Sequence, residues 1–168
     1  KRLALKAGEI QLSRCGSNEI DLKEDGSPVT EVDSQCELLI RSEIEIAFPD
    51  DGFLGEESGE TVGLSGRTWI VDPLDGTRPY IKGIVTHAAL IALEDTRGLA
   101  LGVIHLPALE LMCWATRGGG AFCNGDEARV STTSSLPNSI GSGLGFVQRF
   151  NEPKGDRLFE LMRRAGYS

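Results

Sequence analysis

The segment Asp72-Pro73-Leu74-Asp75-Gly76-Thr77 follows the apolar run Trp69-Ile70-Val71 directly and constrains the fold more than any other part of the chain. The apolar run predicts a strand. The proline has no N–H and holds the residue before it in extended geometry, so it predicts that strand pairing ends there. The chain must then turn, and the turn would bring two carboxylates and the carbonyl between them to one point.

These oxygens are of the kind that Mg²⁺ selects. Mg²⁺ is usually bound by one or two carboxylates together with water and substrate phosphate, so the segment predicts metal ligands at Asp72, Asp75 and the Leu74 carbonyl. Gly76 would allow close approach of the backbone to a ligand, and Thr77 supplies a hydroxyl and a plausible helix start. Asp-Pro and Asp-Gly also occur in ordinary turns, which is the alternative for this segment taken alone.

A second acidic segment lies upstream, at Gly55-Glu56-Glu57-Ser58-Gly59-Glu60, just after the apolar pair Phe53-Leu54. Its first two carboxylates, on Glu56 and Glu57, would join the downstream pair if this loop folds over the strand end. Most Glu-Glu pairs instead belong to solvated loops. The sequence leaves both interpretations open.

A third segment, Ser27-Pro28-Val29-Thr30-Glu31-Val32-Asp33, has the spacing of a helix N-terminus. Thr30 and Asp33 are three residues apart, as in a capping box. Asp33 has two possible roles: it caps the helix only, or it also accepts a hydrogen bond from a catalytic hydroxyl and tunes it.

The apolar pattern predicts helices first and a run of short strands afterwards, which indicates an α+β layered domain. The first helix carries Leu3, Ala7 and Ile10 at helical spacing, and Gly16 to Ser27 is expected to be a loop. Gly59 to Gly66 is predicted as a mobile loop. Hairpin turns are predicted at Asp95-Thr96-Arg97-Gly98 and at Asn124-Gly125. The predicted helices are Lys1 to about Cys15, Thr30 to Ala47 (apolar stripe Val32, Cys36, Ile40, Ile44, Ala47) and a last helix ending at Gly166; the predicted strands are Thr68 to Val71, His87 to Leu93, Leu99 to Leu106 and Glu110 to Ala115.

Composition narrows the possible partners. The chain has 168 residues, a net charge of −8 and a pI of about 4.8, which argue against nucleic acid and anionic membranes as partners. No apolar run approaches the length of a membrane span, and no signal peptide is evident. The cysteines at positions 15, 36, 113 and 123 lack a C-x-x-C spacing, so we expect them to be reduced and mostly buried in a cytoplasmic protein.

The three segments, in this order and spacing, resemble the inositol monophosphatase family of Mg²⁺-dependent, Li⁺-sensitive phosphomonoesterases. A glycine-rich stretch from Gly118 to Gly125 is similar to that family's loop and hairpin, so the resemblance runs from about Lys1 to Ser168. It implies the layered α/β sandwich of the inositol monophosphatase and fructose-1,6-bisphosphatase type. It also implies a homodimer.

The resemblance further implies a role for each site residue. Glu56, Asp72, the Leu74 carbonyl and Asp75 would bind Mg²⁺, and Glu56 with Thr77 would hold the attacking water. Asp33 would orient the Thr77 hydroxyl. Asp75 and the backbone N–H groups of Gly76 and Thr77 would bind the substrate phosphate. The implied activity is hydrolysis of a small phosphorylated alcohol by metal-activated water.

Two departures from the family pattern bear on function. Arg78-Pro79-Tyr80 follows Thr77 where an asparagine-aromatic pair is usual, and no Trp-Asp motif supplies the family's late metal carboxylate. We therefore expect a single N-terminal metal-binding phosphatase domain over residues 1–168, with the C-terminal part absent. The alternative is a Mg²⁺-binding regulatory or incomplete module without turnover. The Asp-Gly-Thr-Arg run and the stretch from Arg117 to Gly120 favour histidinol-phosphatase-like members over inositol-phosphate-cleaving ones.

Overall fold

The computed structural model describes residues 1–15, 20–22, 28–135, 138 and 160. The chain divides into two compact units, Lys1–Ala128 and Arg129–Ser168. In the second unit, Asn138 N donates to the Ser135 carbonyl over 3.2 Å. The predicted last helix ending at Gly166 lies outside the described residues, apart from Glu160, which is helical. The expectation of one domain over the whole chain stays a prediction.

The first unit contains three α-helices, ten strands and one short 3₁₀ turn among the described residues. The helices are α1 Arg2–Ser13, α2 Glu31–Ala47 and α3 Thr77–Ile81, and the 3₁₀ turn is Pro107–Leu109. The strands are β1 Ile20–Leu22, β2 Pro28–Thr30, β3 Gly52–Gly55, β4 Gly59–Thr61, β5 Thr68–Asp75, β6 Ala88–Asp95, β7 Gly98–Leu106, β8 Leu111–Thr116, β9 Gly120–Cys123 and β10 Asp126–Glu127. None of the described helices is long and apolar enough to cross a membrane.

Eight strands form one sheet in the order β10-β9-β8-β7-β6-β5-β3-β4, and β1 pairs with β2 separately. All neighbours in the large sheet are antiparallel except β3 and β5, which are parallel. The two predicted hairpin turns are confirmed, because Asp95 pairs with Gly98 and Cys123 pairs with Asp126. The prediction of an α+β protein with helices before a meander of strands is confirmed.

Helices α1 and α2 pack together and against the central strands β5, β6 and β7. The α2 stripe is buried as predicted at Val32, Cys36, Ile40 and Ile44, whereas Ala47 at the helix end is exposed. On α1 the buried residues are Ala4, Ala7, Gly8 and Gln11, and the predicted Leu3 and Ile10 are only half-buried. Small residues on α1 bring its backbone close to the sheet.

Several predicted boundaries are wrong. Ile20–Leu22, within the expected loop, is a strand that pairs with β2, because an antiparallel ladder satisfies its backbone groups. Gly59–Thr61, within the expected mobile loop, pairs with β3 as a strand. These pairings depend on distant partners, which local glycine and serine content does not reveal.

The expectation of four reduced cysteines is also wrong. Cys113 and Cys123 form a disulfide, with their Cα atoms 4.2 Å apart. The register of β8 and β9 places these two residues directly opposite each other. Of the other two cysteines, Cys36 is buried as expected, whereas Cys15 is exposed.

Candidate active site

Strand β5 continues through Pro73, which corrects the expectation that pairing ends after Val71. Asp72 pairs with Leu90 and Asp75 with Ala88, so β5 has one more residue than β6 between these pairs. This is a β-bulge, and the proline that cannot donate to the ladder lies inside it. The Asp72 side chain caps the bend, because its Oδ1 accepts a hydrogen bond from Leu74 N over 3.2 Å.

The parallel pairing of β3 with β5 brings the upstream acidic segment to this bulge. Gly55 pairs with Val71, and Glu56 N donates to the Val71 carbonyl over 3.1 Å. Glu56 therefore lies next to Asp72, the residue that follows Val71. The hypothesis that the acidic loop folds over the strand end is supported for Glu56.

The carboxyl of Asp72 is perturbed by this arrangement. Burial raises the pKa of Asp72 to about 7, with further contributions from the charge of Glu56, a hydrogen bond with Glu56 and the charge of Asp75. The hydrogen bond from Leu74 N acts in the opposite direction. Burial and the two neighbouring acidic side chains thus both disfavour the ionised form of Asp72.

Thr77 begins α3 directly after the bulge and is tied to α2. Its Oγ1 donates to Asp33 Oδ1 over 3.1 Å, and the Leu74 carbonyl lies 3.2 Å away as a second acceptor. The other carboxylate oxygen of Asp33 accepts from Thr30 N over 2.8 Å and from Thr30 Oγ1 over 2.7 Å. Asp33 therefore closes the capping box of α2 and also accepts a hydrogen bond from the Thr77 hydroxyl, whose catalytic role stays a prediction.

The turn between β5 and α3 requires Gly76. Its φ of 86° and ψ of 43° lie in the left-handed region, which residues other than glycine adopt only with steric strain. Pro79 lies within α3 and accepts hydrogen bonds from Lys82 N and Ile84 N. Arg78 is exposed on this helix, one residue beyond Thr77.

A buried polar network behind the bulge was not predicted from the sequence. The side chain of Gln11 is fully buried; its Nε2 donates to the Pro73 carbonyl over 2.9 Å, and its Oε1 lies 2.8 Å from His87 Nδ1. The Tyr80 hydroxyl donates to the backbone carbonyl of Gln11 over 2.8 Å. Burial lowers the pKa of His87. The available signal was a polar Gln11 among the apolar residues of α1, since a buried amide needs partners.

Arg117 lies far from this site. It forms a two-pronged ion pair with Asp95, at 2.9 Å and 3.0 Å, at the end of β6 opposite to Ala88. The two ends of β6 are about 24 Å apart at 3.4 Å per residue. Gly118 and Gly120 have positive φ in the β8–β9 turn. In the described residues, Arg117 thus contacts the β6–β7 turn at Asp95, Gly98 and Leu99. The preference for histidinol-phosphatase-like members that this stretch favoured stays a prediction.

The residues at the bulge fit a hard divalent cation by chemistry. Glu56, Asp72 and Asp75 supply carboxylates, and the Leu74 carbonyl supplies a further oxygen. Burial, followed by the neighbouring Glu56 and Asp75, raises the pKa of Asp72. In the described part of the chain, no three His, Cys, Asp or Glu side chains are grouped so that they could hold a metal ion by themselves. Mg²⁺ usually takes only one or two carboxylates and completes its shell with water and substrate phosphate.

The fold is α+β, and acidic side chains lie in and beside the bulge of strand β5. Residues 1–165 match the model of the inositol monophosphatase family, and the chain belongs to this family. The family resemblance expected from the motifs is thereby confirmed.

Individual relatives agree with this assignment. A histidinol-phosphatase of Chlorobaculum parvum is 47% identical over 131 residues, covering 77% of this chain and 51% of the relative. An inositol-1-monophosphatase of Rhizobium meliloti is 38% identical over 168 residues, covering 99% and 60%. The solved structure of a Thermotoga maritima IMPase is 30% identical, with a TM-score of 0.84, and the match covers 98% of this chain and 63% of that one. The expected inositol monophosphatase type of fold is confirmed, and the chain spans 51% to 60% of these two curated relatives.

Proposed function

We propose that this chain carries a Mg²⁺-dependent phosphomonoesterase site that hydrolyses a small phosphorylated alcohol. The observation that supports this most strongly is that Glu56 and Asp75 both lie near enough to Asp72 to affect its carboxyl, beside a Thr77 hydroxyl bound to Asp33. The relatives are named histidinol-phosphatase and inositol-1-monophosphatase. A surplus of negative charge beside an oriented hydroxyl suits metal-assisted attack by water, without a serine or cysteine nucleophile.

The four oxygen donors proposed for Mg²⁺ are the carboxylates of Glu56, Asp72 and Asp75 and the Leu74 carbonyl. Bound Mg²⁺ would lower the pKa of a water molecule and neutralise charge on the phosphate. The protein's contribution is to hold these donors on a bulge that Gln11 anchors through the Pro73 carbonyl.

Glu56 and Thr77 would position the attacking water. The Thr77 hydroxyl has one proton and two acceptors in reach, the Asp33 carboxylate and the Leu74 carbonyl. A carboxylate is the stronger acceptor. With its proton directed to Asp33, Thr77 Oγ1 keeps a lone pair for the water, while the Glu56 carboxylate accepts a second hydrogen bond from it.

The substrate phosphate would lie against Asp75 and the backbone N–H groups of Gly76 and Thr77. Since α3 has only five residues, these N–H groups rather than a helix dipole would provide the attraction. Arg78, exposed beside Thr77, adds positive charge at the entrance. We propose histidinol phosphate or an inositol monophosphate as the substrate, following the names of the relatives.

Phosphate release from myo-inositol 1-phosphate, histidinol phosphate and adenosine 3′,5′-bisphosphate tests this proposal. Each substrate is incubated with Mg²⁺, with EDTA, and with Mg²⁺ plus Li⁺. Release that requires Mg²⁺ and is inhibited by Li⁺ is expected, and the best substrate identifies the branch of the family. A folded chain that binds Mg²⁺ but releases no phosphate would instead support the regulatory or incomplete module.

We further propose that the protein acts as a homodimer in the cytoplasm, without nucleic acid or membrane partners. The acidic surface charge supports the last two points. Sedimentation of the purified chain would test the oligomeric state directly.

A further inference from the structure

Helix α2 carries a polar line beside its apolar stripe. Asp33, Glu37 and Arg41 are spaced by four residues and therefore lie above one another on one face of the helix. Each contacts a segment next to the bulge in β5. Asp33 accepts from Thr77, and Glu37 accepts from the backbone of the loop after β3. Arg41 donates to Ser58 Oγ in the same loop over 2.9 Å. The first contact belongs to the proposed mechanism, whereas the second has no assigned role.

The carboxylate of Glu37 is buried and fully engaged by backbone donors. Its side chain is 2% exposed, its Oε2 accepts from Glu57 N over 2.9 Å, and its Oε1 accepts from Ser58 N over 2.7 Å. The approach is close enough that a Cβ on Gly55 would lie 2.5 Å from the Glu37 carboxylate. A buried carboxylate with two charge-assisted hydrogen bonds defines the position of the residues that donate them.

Glu56 lies between two fixed points as a result. On one side Gly55 pairs with Val71 and Glu56 N donates to the Val71 carbonyl. On the other side the next N–H, that of Glu57, is held by Glu37. The backbone of Glu56 therefore cannot move away from Asp72 without breaking a strand contact or a buried charge-assisted bond.

We propose that Glu37 is a positioning residue, which sets the backbone after β3 so that the Glu56 carboxylate faces Asp72 for cation binding. This role rests on the proposed function, because Glu56 needs to be held toward Asp72 only if the two carboxylates bind a cation together. With Asp33 one turn earlier, α2 then fixes both sides of the site: the Thr77 hydroxyl through one carboxylate and the Glu56 backbone through the other.

The variant Glu37→Gln tests this with almost no change in shape. An amide presents one acceptor and one donor, so one of the two backbone N–H groups would face an NH₂ group. Residues that orient metal ligands typically change metal affinity or activity by about 10–100-fold when mutated. We expect the Mg²⁺ affinity to decrease by about 10–100-fold. We also expect the backbone amides of Glu57 and Ser58 to exchange faster in the metal-free protein.

The matched control is Glu43→Gln, the same change on the same helix at a residue that pairs with Lys6 and Arg2 on the surface. Amide hydrogen exchange is measured without metal, and the Mg²⁺ dissociation constant is measured by calorimetry. If the glutamine variant does not fold, Glu37→Asp replaces it in the test. This variant keeps the charge but has a shorter side chain, so we expect an intermediate effect.

Faster exchange at Glu57 and Ser58 together with weaker Mg²⁺ binding, in the Glu37 variants only, supports the proposal. Faster exchange with unchanged Mg²⁺ affinity would show that Glu37 only anchors the loop, and unchanged exchange would overturn the anchoring itself. A wild-type chain that binds no Mg²⁺ would overturn the proposed function and with it the positioning role. The metal-free exchange data separate that failure from a failure of the Glu37 contacts.

Discussion

Replacing Asp33 separates its contribution to stability from the contribution to catalysis that we propose for it. Asp33 is 2% exposed and accepts three hydrogen bonds, from Thr30 N, Thr30 Oγ1 and Thr77 Oγ1. In Asp33→Ala all three are lost, and the buried Thr30 N–H is left without its acceptor. A buried donor without a partner costs about 1–3 kcal/mol, and a lost helix cap costs about 0.5–2 kcal/mol.

We therefore expect Asp33→Ala to lower the free energy of unfolding by about 3 kcal/mol, or the Tm by about 6–12 °C for a domain of this size. Asp33→Asn keeps one oxygen for the two Thr30 donors and directs its NH₂ group to Thr77. We expect it to cost only about 1 kcal/mol. The Thr77 hydroxyl would then accept from this NH₂ group and turn its proton to the Leu74 carbonyl, which redirects the lone pair offered to the attacking water, so turnover should fall by about 10²-fold.

The assay combines urea unfolding with phosphate release at saturating Mg²⁺ for both variants. The reasoning is refuted if Asp33→Asn keeps wild-type turnover, since Asp33 would then be a cap only. It is also refuted if Asp33→Ala unfolds at the same urea concentration as wild type, since the three hydrogen bonds would then contribute nothing.

Two further predictions concern titrating groups away from the site. Burial, with a smaller contribution from the charge of Asp33, raises the pKa of the Cys36 thiol to about 12. Iodoacetamide should therefore label the exposed Cys15 rapidly and the buried Cys36 only after unfolding, as measured by mass spectrometry. Hydrogen bonds from Arg117 lower the pKa of Asp95 to about 2, and this ion pair should stabilise the fold above about pH 4, with the contribution lost as the pH falls toward 2. Arg117→Gln should return the Asp95 pKa toward its ordinary value, as followed by NMR titration of the carboxyl.

Features encoded within a few neighbouring residues were predicted correctly from the sequence. The capping box of α2 is formed by Thr30 and Asp33, three residues apart, and the structure contains it. The two hairpin turns are likewise local, because Asn124-Gly125 adopts the positive φ angles that its turn requires. The acidic hexapeptide was recognisable for the same reason, since its oxygens are adjacent in the chain.

Features that depend on distant pairing were not predictable in this way. The continuation of β5 through Pro73 depends on the register of β6, which places the proline in a bulge. The disulfide depends on the register of β8 and β9. The sequence carries no local signal for the role of Glu37, because its two donors lie 20 and 21 residues further along the chain. The sequence thus indicated the residues proposed to carry the chemistry, but not Gln11 and Glu37, which contact the segments that bear them.

The most direct test of the central claim is the turnover of Glu56→Gln and Asp72→Asn, measured beside their folded state. Both changes remove a carboxylate proposed to bind Mg²⁺ while keeping side-chain shape. The account predicts that each variant retains the wild-type circular dichroism spectrum and unfolding midpoint but loses Mg²⁺-dependent phosphate release. Retained turnover in either folded variant, or loss of turnover only together with loss of the folded signal, would contradict it.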